Sequence, residues 1–429
     1  MTTPEEAARA AERVARESYG RLLAFLAVRT RDVAAAEDAL GDAFAAALRT
    51  WPKDGVPANP AAWLLTAARR NQADSFRRSK TREASEPYLR IVSEEIAGAS
   101  SSLEPDIIPD RRLSLMFACA HPAIERGIRA PLILQTILGF TAEDISAAFL
   151  LPAATMGQRL VRAKTRIRDA GIPLVVPEKE ELAERLDAVL DAIYAAYSKG
   201  WNDVGDAGVP EIADEAVWLG RLVVSLLPEE PEAKGMLALM LYAEARRPAR
   251  RDAAGAYVPF EEQDIGLWNG SQIAEAERLL LEASRSGPTG RFQCEAGIQS
   301  AHTARRVTGV ANWPAVLALY DHLVVLTDSP VVVLNRAVVL AEVEGVDAVL
   351  DSTMASLGED KRMIGYQPYW AAKGHLLARV RRMSEAREAF TVAIGLTTDE
   401  AVRAYLQRQL AAVNQPNAAM TAIDLQCRP

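Results

Sequence analysis

Apolar residues recur every three or four positions along much of the chain, and this spacing predicts helices rather than strands. Met156, Leu160, Ala163 and Ile167 illustrate it, because at 100° per residue they fall on one narrow stripe. Comparable spacing returns on both sides of this segment. The sequence therefore predicts an all-α fold built from several helical domains.

The segment from Gly139 to Gly171 has the pattern of two helices around a tight turn. Thr141 followed by Asp144 predicts a capping box at the first helix, and Gly171 predicts the end of the second. Pro152 interrupts the pattern between them, since proline is tolerated in a first helical turn but not in an interior. The upstream segments add two apolar helices, so a four-helix unit is expected over about 110–171.

The second helix of the segment from Gly139 to Gly171 is basic and polar on the side away from its apolar stripe. Guanidinium and carboxamide groups contact phosphates and base edges in the major groove. An ordinary amphipathic surface helix is the alternative, but no acid lies between Arg159 and Arg168. The sequence therefore favours a DNA-binding helix-turn-helix, and its candidate DNA-binding residues are Thr155, Gln158, Arg159, Arg162, Lys164 and Arg166.

The net charge of the 429-residue chain is −8, which by itself argues against a nucleic-acid partner. The charge is unevenly distributed, however: residues 1–82 carry +4, 83–109 carry −5, 110–173 carry +4 and the remainder carries −11. Binding to nucleic acid needs local positive charge on the contacting helices, not a basic protein overall. The chain thus reads as two basic segments separated by an acidic linker and followed by an acidic body.

Other function classes find little support in the composition. The 3 cysteines are far apart and form no CxxC, which argues against a disulfide framework and a thiolate zinc site. No catalytic or metal-ligating constellation is present, so we expect neither a cofactor nor an enzyme. The acidic N-terminus and the lack of an apolar run of about 18 residues predict a cytoplasmic protein without a membrane partner.

Three segments together resemble a known family. AEDALGDAFAAALRTW at 36–51 and AWLLTAARRNQADSFRR at 62–78 precede the helix-turn-helix segment that ends in RLVRAKTRIRDAG. In this order they resemble the extracytoplasmic-function (ECF) sigma factors of bacterial RNA polymerase, with region 2 at about 15–82 and region 4 at about 110–171. The resemblance implies a helical bundle followed by a helix-turn-helix, and a factor that binds core polymerase and recognises the −10 and −35 promoter elements.

The resemblance also implies roles for particular residues. It assigns binding to the β′ clamp helices of the polymerase to Glu37, Asp38, Asp42 and Phe44, and places region 4 at the β flap. Without the resemblance, Glu37, Asp38 and Asp42 would be interpreted as a solvated acidic face. The chain departs from the family at Gly41, where a glutamine is common. It assigns capture of unpaired −10 bases to Arg69, Arg70, Asn71, Asp74, Arg77 and Arg78. The nearby Trp63 has the helical phase of a core residue.

The acidic segment 83–109 contains Ser, Pro and Gly together with six acids, a composition typical of a flexible connector. The resemblance implies that such a linker threads the nucleic-acid channel of the polymerase, while a plain spacer remains the alternative. The expected domains are 1–82, 83–109, 110–173 and 174–429.

The acidic body after residue 174 contains a match to the 34-residue tetratricopeptide (TPR) template. The matching positions are Trp370, Gly374, Leu377, Ala386, Phe390 and Ala393, where small residues let paired helices approach and large ones fill the gaps. The extension resembles a subgroup of these sigma factors with a fused C-terminal TPR-like domain. That resemblance implies regulation of activity through contact with regions 2 and 4.

An arginine-rich insertion at 244–269 places Arg246, Arg247, Arg250 and Arg251 before three acids. It is interpreted as a self-satisfied loop, with a regulatory clasp as the alternative. Two other functions stay open for the whole chain: a stand-alone helix-turn-helix regulator and a TPR-type adaptor or peptide sensor.

Overall fold

The structure is a computed structural model that describes residues 3–80, 111–149, 152–175, 177, 179–202 and 209–414. These residues are predominantly helical, and they contain no strand; one isolated antiparallel bridge joins Arg251 and Tyr257. The all-α prediction is confirmed. The linker predicted at 83–109 lies outside the described residues. The chain divides into two compact units, Met1–Lys199 and Gly200–Pro429, called here the N-terminal and C-terminal units.

The N-terminal unit begins with three helices that pack on one another: α1 (Pro4–Thr30), α2 (Val33–Asp54) and α3 (Pro60–Lys80). Their shared core includes Leu22, Leu40 and Leu64, which have no exposed surface. Trp63 packs edge-on against the buried Trp51 with ring centroids 5.5 Å apart, so it contributes to this core as its helical phase predicts.

Four further helices follow the undescribed linker: α4 (Arg112–Cys119), α5 (Arg126–Leu138), α6 (Ala142–Phe149) and α7 (Ala153–Asp169). The capping box before α6 is present, because the Asp144 amide donates to Thr141 Oγ1 at 3.2 Å and the Thr141 amide donates to Asp144 Oδ2 at 3.0 Å. Gly171 ends α7 with a φ of +61°. The local patterns of the sequence are thus confirmed here.

The apolar stripe of α7 is buried as predicted. Met156, Leu160, Ala163 and Ile167 are the buried residues of this helix, and α7 packs against α6, α5 and α2. In addition α4 and α5 both pack on α1, so the two basic segments of the chain lie in one unit rather than in two.

The following helix α8 (Lys179–Asn202) contains the boundary between the units. Most of α8 therefore belongs with the N-terminal unit, and the domain start expected at residue 174 stays a prediction. Lys199 contacts this unit, because its Nζ donates to Asp144 Oδ1 of α6 at 2.8 Å. Such a contact between residues 55 positions apart leaves no signal in composition.

The C-terminal unit is a succession of packed helices. Neighbours along the chain contact each other, and insertion residues 247–269 form three 3-10 turns between α10 and α11. Its longer helices are α9 (Val209–Leu226), α10 (Pro231–Arg246), α11 (Gly270–Ala283), α12 (Arg291–Thr303), α13 (Trp313–Leu326), α14 (Pro330–Glu344), α15 (Gln367–Arg379), α16 (Met383–Leu396) and α17 (Glu400–Val413). Short helical turns lie between α12 and α13 and between α14 and α15.

Helices α15 and α16 correspond to the segment that matches the TPR template. Gly374 lies on α15 directly under the Phe390 ring of α16, and Ala386 and Ala393 are fully buried. Small residues thus allow a close approach of two helices at the expected positions, while the assignment of a TPR repeat stays a prediction.

Replacing Gly374 by valine should destabilise the C-terminal unit by about 1–3 kcal/mol. A Cβ at this position would lie 3.1 Å from the Phe390 ring, and overpacking of a filled core has this cost. Thermal unfolding followed by circular dichroism measures the effect. Gly395→Ala on α16 is the control, because a Cβ there meets nothing within 4 Å, and the variant should be as stable as the parent or more so. Equal melting of Gly374→Val and the parent would show that this approach is not tight.

Candidate nucleic-acid interface

The outer face of α7 carries the candidate DNA-binding residues. Thr155, Gln158, Arg162 and Arg166 are exposed, on the side of the helix away from its buried stripe. Since the stripe packs on neighbouring helices, these side chains are held on a rigid support. The helix thus presents two guanidinium groups and a carboxamide on one accessible surface, a set able to contact phosphates and base edges.

The other two candidate cations of α7 form ion pairs within the N-terminal unit. Arg159 pairs with Glu125 at the start of α5, and Lys164 Nζ donates to Glu37 Oε2 of α2 at 2.6 Å. The side chains of Lys164 and Glu37 are only 12% and 19% exposed, so this second pair is shielded from solvent. It joins a candidate DNA-binding residue to a candidate polymerase-binding residue.

Several helices converge around the pair of Glu37 and Lys164. Burial raises the pKa of Glu37, and the hydrogen bond from Lys164 offsets part of this effect. Burial also raises the pKa of Tyr19 on α1 and raises that of Cys119 on α4 to about 12, and the charge of Glu37 adds to both shifts. The pair therefore lies where α1, α2, α4 and α7 meet.

The rest of the candidate polymerase-binding surface lies along α2. Asp38 and Asp42 are exposed, and Phe44 is half-buried. The two carboxylates can therefore meet a partner without rearrangement, whereas Glu37 must first give up Lys164. Neither Glu125 nor the partnership of Glu37 was found from the sequence, because both depend on contacts between distant parts of the chain.

The candidate −10 residues on α3 do not share one face. The Arg69 guanidinium lies 4.9 Å from the centre of the Phe25 ring of α1, and Asn71 Nδ2 donates to the Ala39 carbonyl of α2 at 3.3 Å. Both thus contact neighbouring helices, while Arg70 and Asp74 are exposed. Arg77 and Arg78 lie on α3, but their side chains are outside the described part, and the assignment of the six residues stays a prediction.

The arginines of the insertion make contacts beyond the loop itself. Arg250 donates to the Trp201 carbonyl at 2.6 Å with its guanidinium 4.2 Å from the Trp201 ring centre, and Arg251 pairs with Asp399 at 2.7 Å. Arg246 donates to Gln299 at 2.9 Å. The loop therefore ties together several helices of the C-terminal unit rather than satisfying only its own charges.

The described ranges contain no cluster of three or more His, Cys, Asp or Glu side chains arranged to hold a metal ion. His121 instead accepts a hydrogen bond at Nδ1 from the Ala123 amide at 3.1 Å, beyond the end of α4. No helix in these ranges is both long and apolar enough to cross a bilayer.

Comparison with known proteins gives two family matches and one relative. Residues 15–82 match the sigma-70 region 2 family, and residues 185–284 match a family of unknown function, DUF6596. An uncharacterized protein of Rhizobium meliloti (strain 1021) is 37% identical over 398 residues, which is 92% of each chain. No solved structure matches. The first match covers α2, α3 and the second half of α1, and the second covers α9, α10, α11 and most of α8.

Proposed function

Because the chain belongs to one family with the rhizobial protein and carries the region 2 domain of sigma-70 factors, we propose that it is a sigma factor of the ECF type. It binds core RNA polymerase and directs promoter-specific initiation of transcription. The observation that carries the proposal is the region 2 match, which covers α2, α3 and the second half of α1 in the three-helix bundle.

Core polymerase binds to α2 in this proposal. The exposed carboxylates of Asp38 and Asp42, the edge of Phe44 and the carboxylate of Glu37 form the surface that meets the clamp helices of the β′ subunit. Exposed carboxylates on a rigid helix suit a basic partner, because complementary charge accelerates association and fixes register. The β flap binds the unit formed by α4 to α7.

Promoter DNA is read at two places. The outer face of α7 enters the −35 major groove, where Arg162 and Gln158 are free of the apolar core and can reach base edges. The second half of α3 takes up the unpaired −10 strand, with Arg70 exposed for the backbone phosphates. Arg69 and Asn71 then contribute chiefly by holding α3 against α1 and α2.

The C-terminal unit regulates this activity. Its helix pair α15 and α16 has the close approach expected of a TPR-like repeat, and stacked helix pairs present concave surfaces that bind partners. The DUF6596 match indicates that this fused region recurs beyond this chain, although its function is unassigned. Contact of the unit with regions 2 and 4 is part of the proposal.

The experiment is promoter-dependent transcription by the purified chain with core polymerase, together with the core-binding affinity. Asp38→Ala combined with Asp42→Ala should weaken core binding about 100-fold or more, because each substitution removes a charged contact worth roughly 1.5–3 kcal/mol. Glu5→Ala combined with Asp54→Ala removes the same charge from exposed positions elsewhere on α1 and α2 and should leave binding unchanged.

Two outcomes contradict the proposal. Equal weakening by both double variants would mean that only net charge matters. If neither the full chain nor residues 1–177 direct transcription with core polymerase, the chain is not a sigma factor. Specific promoter binding in a gel shift without polymerase would then favour a stand-alone helix-turn-helix regulator.

A further inference from the structure

Regions 2 and 4 pack directly on each other in the N-terminal unit. Helices α4 and α5 lie against α1, and α7 lies against α2. The helices approach closely at Gly20 of α1, where a Cβ would overlap the backbone carbonyl of Ile137 on α5. The neighbouring Tyr19 lies against Gly139, and a Cβ added at Gly139 would lie 3.5 Å from the Tyr19 ring.

The contact also uses functional residues. Lys164, a candidate DNA-binding residue of region 4, pairs with Glu37 of the polymerase-binding surface in region 2 at 2.6 Å. Arg159 pairs with Glu125 within region 4 itself. Two of the cations that would meet DNA are thus already neutralised by carboxylates of the same unit. Glu37 in turn cannot meet a basic partner while Lys164 occupies it.

We propose that this packing is an autoinhibitory contact, in which the close approach at Gly20 and the pair of Glu37 with Lys164 hold regions 2 and 4 closed and cover part of both binding surfaces. The inference rests on the proposed function, since it concerns the regulation of the same surfaces. Core polymerase binds the open form, in which α7 has separated from α2 and Glu37 and Lys164 are free to meet their separate partners.

Gly20→Leu tests the contact without touching either binding surface. The leucine side chain cannot be accommodated against the Ile137 carbonyl, since the three atoms nearest to a Cβ at this position all belong to the backbone of Ile137 on α5. We expect the affinity for core polymerase to rise about tenfold, the factor for a chain that is about 90% closed when free. Gly395→Ala, a glycine substitution with nothing within 4 Å, should leave the affinity unchanged.

Spin labels report the opening itself. Cysteines introduced at Leu48 on α2 and at Ala170 after α7, both exposed, carry the labels in a Cys427→Ser background, since Cys119 and Cys294 are buried. The distance distribution should be narrow in the parent chain and broad in Gly20→Leu. Circular dichroism checks that both proteins keep their helices. An identical distribution in the two proteins would overturn the role of Gly20.

Lys164→Met is a second opener that does not depend on Gly20. It removes the charge that covers Glu37 while keeping the length of the side chain, so core binding in the absence of DNA should strengthen several-fold. Binding to promoter DNA should strengthen less than in Gly20→Leu, because the gain from opening is offset by the loss of a candidate phosphate contact. Weaker core binding in Lys164→Met would mean that Lys164 only supports the fold, and that result would overturn the inference.

The two proposals fail in different ways. If the parent chain and both variants bind core polymerase equally well, the autoinhibitory contact is wrong and the sigma-factor assignment stands. If none of them binds core polymerase, the proposed function falls and the autoinhibition falls with it.

Discussion

Replacing Arg159 and Arg162 together by alanine should lower promoter-dependent transcription about 100-fold or more while core binding is not weakened. Arg162 is exposed on the outer face of α7, and Arg159 reaches the same face once Glu125 releases it. A bidentate contact of an arginine to a guanine is worth roughly 1–3 kcal/mol, and every 1.4 kcal/mol is a factor of about ten. Transcription from a cognate promoter and polymerase binding without DNA measure the two parts of the prediction.

The matched control removes the same charge from nearby positions outside the candidate surface. Arg126→Ala with Arg168→Ala changes two exposed arginines of α5 and α7, whose side chains are 84% and 52% accessible. Its effect on transcription should be small. The salt dependence of promoter binding should flatten in the first double variant, by about one unit of slope for each lost phosphate contact. Equal losses in the two double variants would show that α7 makes no specific contact.

Two buried histidines should lower the stability of the C-terminal unit by about 4 kcal/mol when the pH falls from above 6.5 to 5. Burial, aided by Arg246 and Arg305, lowers the pKa of His302 to about 3, and burial with Arg379 lowers that of His375 to about 4. The unfolded chain takes up these protons near pH 6.5. Below pH 6.5 the unfolded state binds more protons than the folded state. The stability that the two neutral histidines contribute is therefore complete above this pH and is lost as the pH falls. At pH 5 each histidine accounts for roughly 2 kcal/mol of this loss of stability.

Urea unfolding of the full chain at pH 7.5 and pH 5 measures this loss of stability. A pulse of hydrogen exchange, applied at one constant pH, reports whether α12 and α15 are folded. In His302→Gln combined with His375→Gln, the difference between the two pH values should shrink by most of that amount. His322→Gln removes an exposed histidine of α13 and serves as the control for the loss of an imidazole as such. An unchanged pH dependence in the double variant would mean that other groups carry it.

Features with a local cause could be predicted from the sequence. The stripe of Met156, Leu160, Ala163 and Ile167 is buried because helical periodicity fixes which residues share a face. The box of Thr141 and Asp144 forms because its hydrogen bonds span only three residues. The helix pair at Gly374 and Phe390 follows from the same kind of spacing.

Contacts that depend on how the helices pack against one another could not be predicted from the sequence. Periodicity identifies the polar face of α7 but not that Lys164 finds Glu37, 127 residues earlier. It likewise places Arg69 and Asn71 on α3 but not against Phe25 and the Ala39 carbonyl. The insertion arginines suggested pairing with the acids that follow them, whereas Arg250 caps the Trp201 carbonyl. In each case the partner is set by tertiary packing.

The close approach at Gly20 also makes the two binding events cooperative. Polymerase and promoter both require the open arrangement, so either ligand removes the competing closed state for the other. By thermodynamic linkage the enhancement is reciprocal: polymerase strengthens −35 binding by the same factor by which DNA strengthens polymerase binding. For a chain about 90% closed this factor is about ten. A factor built in this way forms few complexes with DNA alone, and the selectivity needs no contact between its two ligands.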